Sequence, residues 1–185
     1  MVFHRERESD RQPLSLIIPH LYLGAETDVT QDCLSSRGIS YVLSVSRCCP
    51  QPVFLPKSQY LRIPIDDSLR DELLPWIPEA LQFIDGAMSL GYSVLVHCAA
   101  GISRSPALTV AYVMYRLGLD LDDAYRFVKE RRPSISPNFN FLDLRKEHAK
   151  FVVTKLRAAP PKLKGRETEI VIAIPSLRKV VIIPV

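Results

Sequence analysis

The chain has 185 residues, 47% hydrophobic and 24% charged, with fifteen prolines against seven glycines, as expected of one soluble globular domain with rigid, well-punctuated loops. Its net charge of +4 is uneven: residues 150–185 carry eight Lys/Arg and two Glu, so residues 1–149 are net −2 and offer no basic excess to nucleic acid or a membrane surface. The opening MVFHRERESDRQP lacks the apolar segment of a secretory signal, and no apolar run approaches the ~18 residues of a membrane span.

Residues 1–14 are polar and charged enough to predict disorder. SLIIPHLYLG (15–24) holds two short β-type runs separated by Pro19, and TDVTQDCLSSRG (27–38) predicts a capped helix stopped by Gly38. ISYVLSVS (39–46) is strand-like, the proline-broken RCCPQPVFLPKSQ is a loop, and YLRIPI (60–65) is a second strand of that kind. In LLPWIPEALQFIDGAMSLG (73–91), Trp76, Ala80, Phe83, Ile84 and Met88 fall at helical spacing. SVLVHC (93–98) reads as a buried strand and SPALTVAYVMYRLG (105–118) as a helix with proline in its first turn. Helices over 121–133 and 138–156 follow. Strands alternating with helices predict an α/β layered domain.

Cys33, Cys48, Cys49 and Cys98 make no CxxC pair, and the adjacent Cys48 and Cys49 are poorly placed to chelate one ion, so no zinc site is expected. Without a secretion signal, reduced thiols in the cytoplasm or nucleus are the expectation.

Cys98 falls where a strand ends and a helix begins. Between it and Arg104 stand Ala99, Ala100, Gly101, Ile102 and Ser103, small or short except Ile102, a composition that lets the backbone curl, with Gly101 free to supply an unusual φ. A ring of amides at a helix N-terminus is an anion site, because unpaired N–H groups and the helix dipole both favour negative charge. Arg104 adds a planar fork for two phosphate oxygens. The same field favours the thiolate of Cys98, a nucleophile aimed at phosphorus. A lone cysteine after a strand is ordinarily a buried small hydrophobe, and a lone arginine in a first turn a surface charge. The two at this spacing, between strand and helix, point to chemistry.

His97-Cys98-Ala99-Ala100-Gly101-Ile102-Ser103-Arg104-Ser105 resembles the HCxxGxSRS loop of the dual-specificity protein phosphatases, within the cysteine-dependent tyrosine phosphatase superfamily. The resemblance covers about residues 16–151, including LYLG (21–24), YVLSVS (41–46), IPIDDS (63–68) and AYRFVKERRPSISPNFNF (124–141). The last of these is especially similar to the catalytic domain of the MAP-kinase phosphatases. The implied fold is protein-tyrosine-phosphatase-like: α/β, a central mixed sheet of about five strands with helices on both faces. The implied limits are a catalytic domain over 15–157 and a basic, apolar tail over 158–185. In build, with about fifteen residues before the domain, the chain is similar to the small atypical members. LDLRKEHAK departs from the family's usual ending, so the last helix is expected to pack differently.

Cleavage of a serine or threonine ester needs a proton for the leaving oxygen, and a carboxylic acid on a neighbouring loop can supply it. IPIDDS offers Asp66 and Asp67, between which sequence chemistry does not choose. The family's acid precedes a small residue, which implies Asp67, with Asp66 left as a loop-fixing carboxylate. Ser105 can cap its helix or, as the resemblance implies, hydrogen-bond Cys98 and ease its departure. His97 resembles the histidine whose bonds stabilise the cysteine thiolate, or it orders the loop. Asn138 matches an asparagine that braces the loop, or is a helix N-cap.

The resemblance thus implies a phosphatase without a metal or other cofactor: Cys98 attacks, Arg104 and the amides of Ala99 through Arg104 hold the phosphoryl oxygens, and Asp67 protonates the leaving group. AAGIS carries no charge, unlike the loops of phosphoinositide and RNA phosphatases, and no phosphotyrosine-clamping segment is evident. Phosphoproteins, with MAP kinases among them, are the expected substrates, on tyrosine and on serine or threonine. The alternatives are a non-protein phosphate ester or a phosphate-binding pseudophosphatase. Cys48 and Cys49 are candidates for a disulfide with Cys98 under oxidant. In the tail, IVIAI and VVIIPV predict an added β-strand or a packed extension. Alternatively, Lys162, Lys164 and Arg166 followed by Ile170-x-Ile172 resemble a MAP-kinase docking peptide.

Overall fold

The apolar runs pair so that alternate residues feed opposite faces of one sheet. The computed structural model describes residues 12–138 and the backbone of 169–174 and 179–184. Strands β1 (Ser15–Ile18), β2 (Leu21–Ala25), β3 (Ile39–Val45), β4 (Tyr60–Ile63) and β5 (Ser93–Cys98) form a five-stranded sheet in the order β1-β2-β5-β3-β4. β1 runs antiparallel to β2 through the turn at Pro19 and His20, where His20 has a positive φ of 65°, and the remaining pairs are parallel. The expected mixed sheet of about five strands is therefore present.

Period-two alternation splits each strand between two cores. Leu21 and Leu23, Leu43 and Val45, and Val94 and Val96 enter the larger core with α2 (Ile77–Ser89), α3 (Arg104–Leu117) and α4 (Leu121–Arg131). Tyr22, Val42 and Leu95 face the other side with Leu34 of α1 (Gln31–Ser36). Helices thus cover both faces, and β5, central and fully buried, holds its C-terminus between two parallel neighbours. In such sheets, ligands bind beyond the carboxyl ends of the strands.

Several boundaries shift for identifiable reasons. β4 stops at Ile63 because Pro64 has no N–H for the ladder, and Ile65 turns back to donate to the Ile63 carbonyl at 2.9 Å. α1 begins only at Gln31, where Thr30 Oγ1 accepts from the Cys33 amide, after a separate 3-10 turn over Glu26–Asp28. α2 buries Ile77, Ala80, Leu81, Ile84 and Ala87, so its inner face is rotated from the expected one, with Trp76, Phe83 and Met88 partly buried at its border. α4 ends at Arg131 because Pro133 disfavours helical φ/ψ in Arg132, which sits at φ −138° and ψ 85°.

Of the N-terminal residues expected to be disordered, those from residue 12 are described: the Pro13 carbonyl accepts from Arg132 Nη1 at 2.9 Å and Gln12 Oε1 from the Ser134 amide at 3.0 Å. Residues 139–156 of the helix expected over 138–156, and Lys162, Lys164 and Arg166 of the tail, lie outside the described residues. The tail's apolar runs form β6 (Glu169–Ile174) and β7 (Lys179–Pro184), which pair antiparallel with each other rather than extending the main sheet.

Candidate active site

Cys98 is the last residue of β5, and Arg104 is the first of α3. Four of the five carbonyls of the intervening loop accept from donors outside it. Ala99 O accepts from the Glu26 amide at 3.2 Å, Gly101 O from Arg132 Nε at 3.0 Å, Ile102 O from the Ser136 amide at 2.8 Å and Ser103 O from the Ala107 amide at 3.0 Å. Among the described residues, no acceptor is paired with the amides of Ala99 through Ser103. Buried backbone groups are almost always satisfied, so a loop with four of its five carbonyls bound and its amides left open suits an anion.

Gly101 makes the curl possible. Its φ is +68°, and a Cβ there would lie 2.5 Å from the Gly24 carbonyl oxygen and 2.7 Å from Arg132 Nη2. Alanine at Gly101 therefore meets both backbone strain and a steric clash.

The expected site residues converge on this loop. Cys98 is 2% exposed, and Ser105 Oγ donates to its sulfur at 3.1 Å. Ser105 lies inside α3 and does not cap it. Arg104 Nη1 donates to the Ile65 carbonyl at 3.3 Å, and its buried Nε has no partner among the described residues, leaving an N–H for a bound oxyanion. Asp67 accepts from Ser103 Oγ at 2.9 Å, so it stands at the loop's edge. Asp66 points elsewhere: Arg47 Nε donates to its Oδ2 at 3.0 Å, and Arg47 also approaches Asp71 at 3.6 Å. The geometry thus separates two carboxylates that sequence chemistry left equivalent. Asn138 reaches the loop through its backbone amide, which donates to Ser103 Oγ at 3.0 Å.

His97 is buried in β5, and among the described residues neither ring nitrogen has a side-chain hydrogen-bond partner. Burial lowers its pKa to about 4, keeping the ring neutral; the nearby Cys98 backbone and the carboxylates of Glu26 and Asp28 oppose this weakly. All four cysteines are free thiols. Cys48 is exposed, whereas the buried Cys49 donates to Glu26 Oε2 at 3.4 Å and burial raises its pKa.

Arg132 was not anticipated as part of the site. It is 2% exposed and donates to Gly101 O, Pro13 O, Ser15 Oγ and Leu23 O at 3.0, 2.9, 3.2 and 3.4 Å. The one signal in the sequence was the arginine before a proline in ERRP, because that proline ends α4 and lets the side chain turn inward.

A mixed sheet with a Cys-x5-Arg phosphate loop at the carboxyl end of its central strand defines a cysteine-dependent phosphatase domain. Residues 21–150 match the family model described as dual specificity phosphatase, catalytic domain, and the chain belongs to that family. Dual specificity protein phosphatase 8 of Mus musculus is 54% identical over 130 residues, covering 70% of this chain and 20% of that protein. Dual specificity protein phosphatase 16 of Homo sapiens is 47% identical over 149 residues, covering 80% and 22%. The chain therefore spans about a fifth of the length of these relatives. The crystal structure of DUSP15 superposes with a TM-score of 0.71 at 30% identity over 81% of this chain and 98% of that one. Among the described residues no helix is long and apolar enough to cross a membrane.

Proposed function

We propose that this domain hydrolyses phosphotyrosine and phosphoserine or phosphothreonine in proteins through a cysteinyl-phosphate intermediate. The observation that carries the reading is the loop with bound carbonyls and open amides, with Cys98 at its start under the Ser105 hydroxyl. The Cys98 thiolate attacks phosphorus while Arg104 and the amides of Ala99 through Arg104 hold the three non-bridging oxygens. The bond to the leaving oxygen breaks, and that oxygen takes the proton of Asp67. Asp67 then removes a proton from water, whose oxygen attacks phosphorus. The P–S bond breaks, releasing inorganic phosphate, and Ser105 donates to the departing thiolate.

Protein substrates follow from an uncharged loop, whose Ala99, Ala100 and Ile102 are exposed and add no cation for a lipid or nucleotide headgroup. MAP kinases are the substrates we propose among phosphoproteins, on the likeness of residues 124–141 to the MAP-kinase phosphatases. The cytoplasm or nucleus, where four free thiols remain reduced, is the proposed location.

Cys98→Ser tests the reading. Turnover of p-nitrophenyl phosphate is expected to vanish while the variant still binds substrate, so that doubly phosphorylated MAP kinase is retained on immobilised Cys98→Ser protein. Turnover within about tenfold of wild type would remove Cys98 as the nucleophile. Retention of phosphoinositide in place of phosphoprotein would reassign the substrate.

A further inference from the structure

Residues 66–72 read Asp-Asp-Ser-Leu-Arg-Asp-Glu, and Leu69 is the one apolar side chain among them. The segment has no helix or strand, yet its own side chains hold it in a closed turn. The Asp66 amide donates to Asp71 Oδ2 at 2.6 Å, and Ser68 Oγ accepts from the amides of Arg70 and Asp71, each at 3.3 Å. From the loop after β3, Arg47 bridges both ends, with Nε 3.0 Å from Asp66 Oδ2 and Nη2 3.6 Å from Asp71 Oδ2. Leu69 lies in the middle of this turn and is 73% exposed.

A single exposed leucine is ordinary on a protein surface and by itself means nothing. Two observations set this one apart. Its backbone is tied down by bonds made on both sides of it, so a partner that covers it has no loop to order on binding. It also stands beside the chemistry. Consecutive Cα atoms are about 3.8 Å apart, so the Leu69 Cα lies within about 7.6 Å of that of Asp67, whose carboxylate accepts from Ser103 of the phosphate loop. Ile102, the neighbour of Ser103, is 41% exposed and adds a second branched aliphatic side chain at the rim.

We infer that Leu69 is a specificity-determining residue: it selects phosphoproteins with an aliphatic side chain within two positions of the phosphorylated residue. The inference rests on the reading of the domain as a protein phosphatase with Asp67 as its acid. With Asp67 at the leaving oxygen, the substrate backbone on one side of the phosphorylated residue passes over Leu69. Residues of an extended peptide follow one another at about 3.3–3.4 Å, so the side chain that meets Leu69 belongs to one of the first two neighbours. An aliphatic side chain there removes apolar surface of both partners from water, whereas a charged one gives up hydration and gains nothing from Leu69. The contact is made equally before and during the reaction, so it acts on KM rather than on kcat.

The test uses phosphothreonine peptides that are identical except at one of the two positions on either side of the phosphothreonine, which carries leucine, serine or aspartate. Wild-type protein is expected to favour leucine over serine at one of these positions by about fivefold to tenfold in kcat/KM, mainly through KM. Leu69→Ser is expected to lose that preference while hydrolysing p-nitrophenyl phosphate, which has no neighbouring residue, at the wild-type rate. Leu69→Met, which stays apolar, is expected to keep it, and Leu69→Lys to favour aspartate at the same position by about twofold to threefold. The absence of a leucine preference in wild type, or its survival in Leu69→Ser, would overturn the inference. Equal losses on p-nitrophenyl phosphate and on every peptide in Leu69→Ser would make Leu69 a support of the acid loop and sink it as well. Turnover of p-nitrophenyl phosphate with none of any peptide would instead fail the protein-substrate reading, and the inference with it.

Discussion

A buried guanidinium with no carboxylate partner is costly, because four carbonyl and hydroxyl oxygens replace water without neutralising the charge. Among the described residues Arg132 is in that position, and burial pulls its pKa below the ordinary arginine value, with Asp28 and Cys98 opposing the shift. Its return is geometric: one planar fork joins the N-terminal segment at Pro13, β2 at Leu23 and the phosphate loop at Gly101. Arg132→Met keeps the apolar stem and removes the fork. Each orphaned acceptor costs about 1 kcal/mol, but release of the unpaired charge offsets much of it, so unfolding in urea is expected to change by no more than about 2 kcal/mol. The loss falls on the loop. Without its anchor at Gly101, the inhibition constant for vanadate is expected to rise at least about tenfold. A large loss of stability with unchanged vanadate affinity would make Arg132 a fold residue alone.

Elements are set against one another by a few polar links inside an apolar core. Tyr112 on α3 is fully buried, and its hydroxyl donates to Asp85 Oδ1 on α2 at 2.6 Å and approaches Met88 Sδ at 3.4 Å. Burial and the Asp85 charge push the phenol pKa well above its ordinary value, so the hydroxyl remains a donor at any physiological pH. α3 carries the first-turn residues Arg104 and Ser105, and this bond fixes its roll against α2. Tyr112→Phe leaves a half-exposed Asp85 that water can still reach, so the expected loss is about 1–2 kcal/mol. For a chain of this size that lowers Tm by about 3–6 °C. Calorimetry checks it, and an unchanged Tm would mean the link carries no net stability.

For the molecule as a whole, His97 makes stability fall on the acid side. Its pKa is 6.5 in an ordinary setting and about 4 in the fold. Between those values the unfolded chain binds a proton that the native state does not, so stability rises with pH across this window and is lost as pH falls through it. From pH 7 to pH 4 the contribution is about 3 kcal/mol. His97→Leu removes the titration, and its urea unfolding curve is expected to lose about that much less than wild type over the same interval. Parallel losses in the two proteins would show that other groups govern acid unfolding.

The α/β class, the strand that ends at Cys98 and the helix that begins at Arg104 were legible in the sequence, because hydrophobic period and residue type act locally. The inner face of α2 was not, since Ile77, Leu81 and Ile84 compete with Trp76, Phe83 and Met88 for one side and only packing against β5 and α3 chooses. Nor could composition separate Asp66 from Asp67: both are carboxylates on one loop, and what distinguishes them is an arginine nineteen residues away for one and a serine thirty-six residues away for the other. Ser103 and Arg132 belong to the same class. One has the local signature of a helix cap and the other that of a solvated helix end. Each was redirected by contacts distant in sequence, which form only once β2, β5 and the segment after α4 have closed around the phosphate loop.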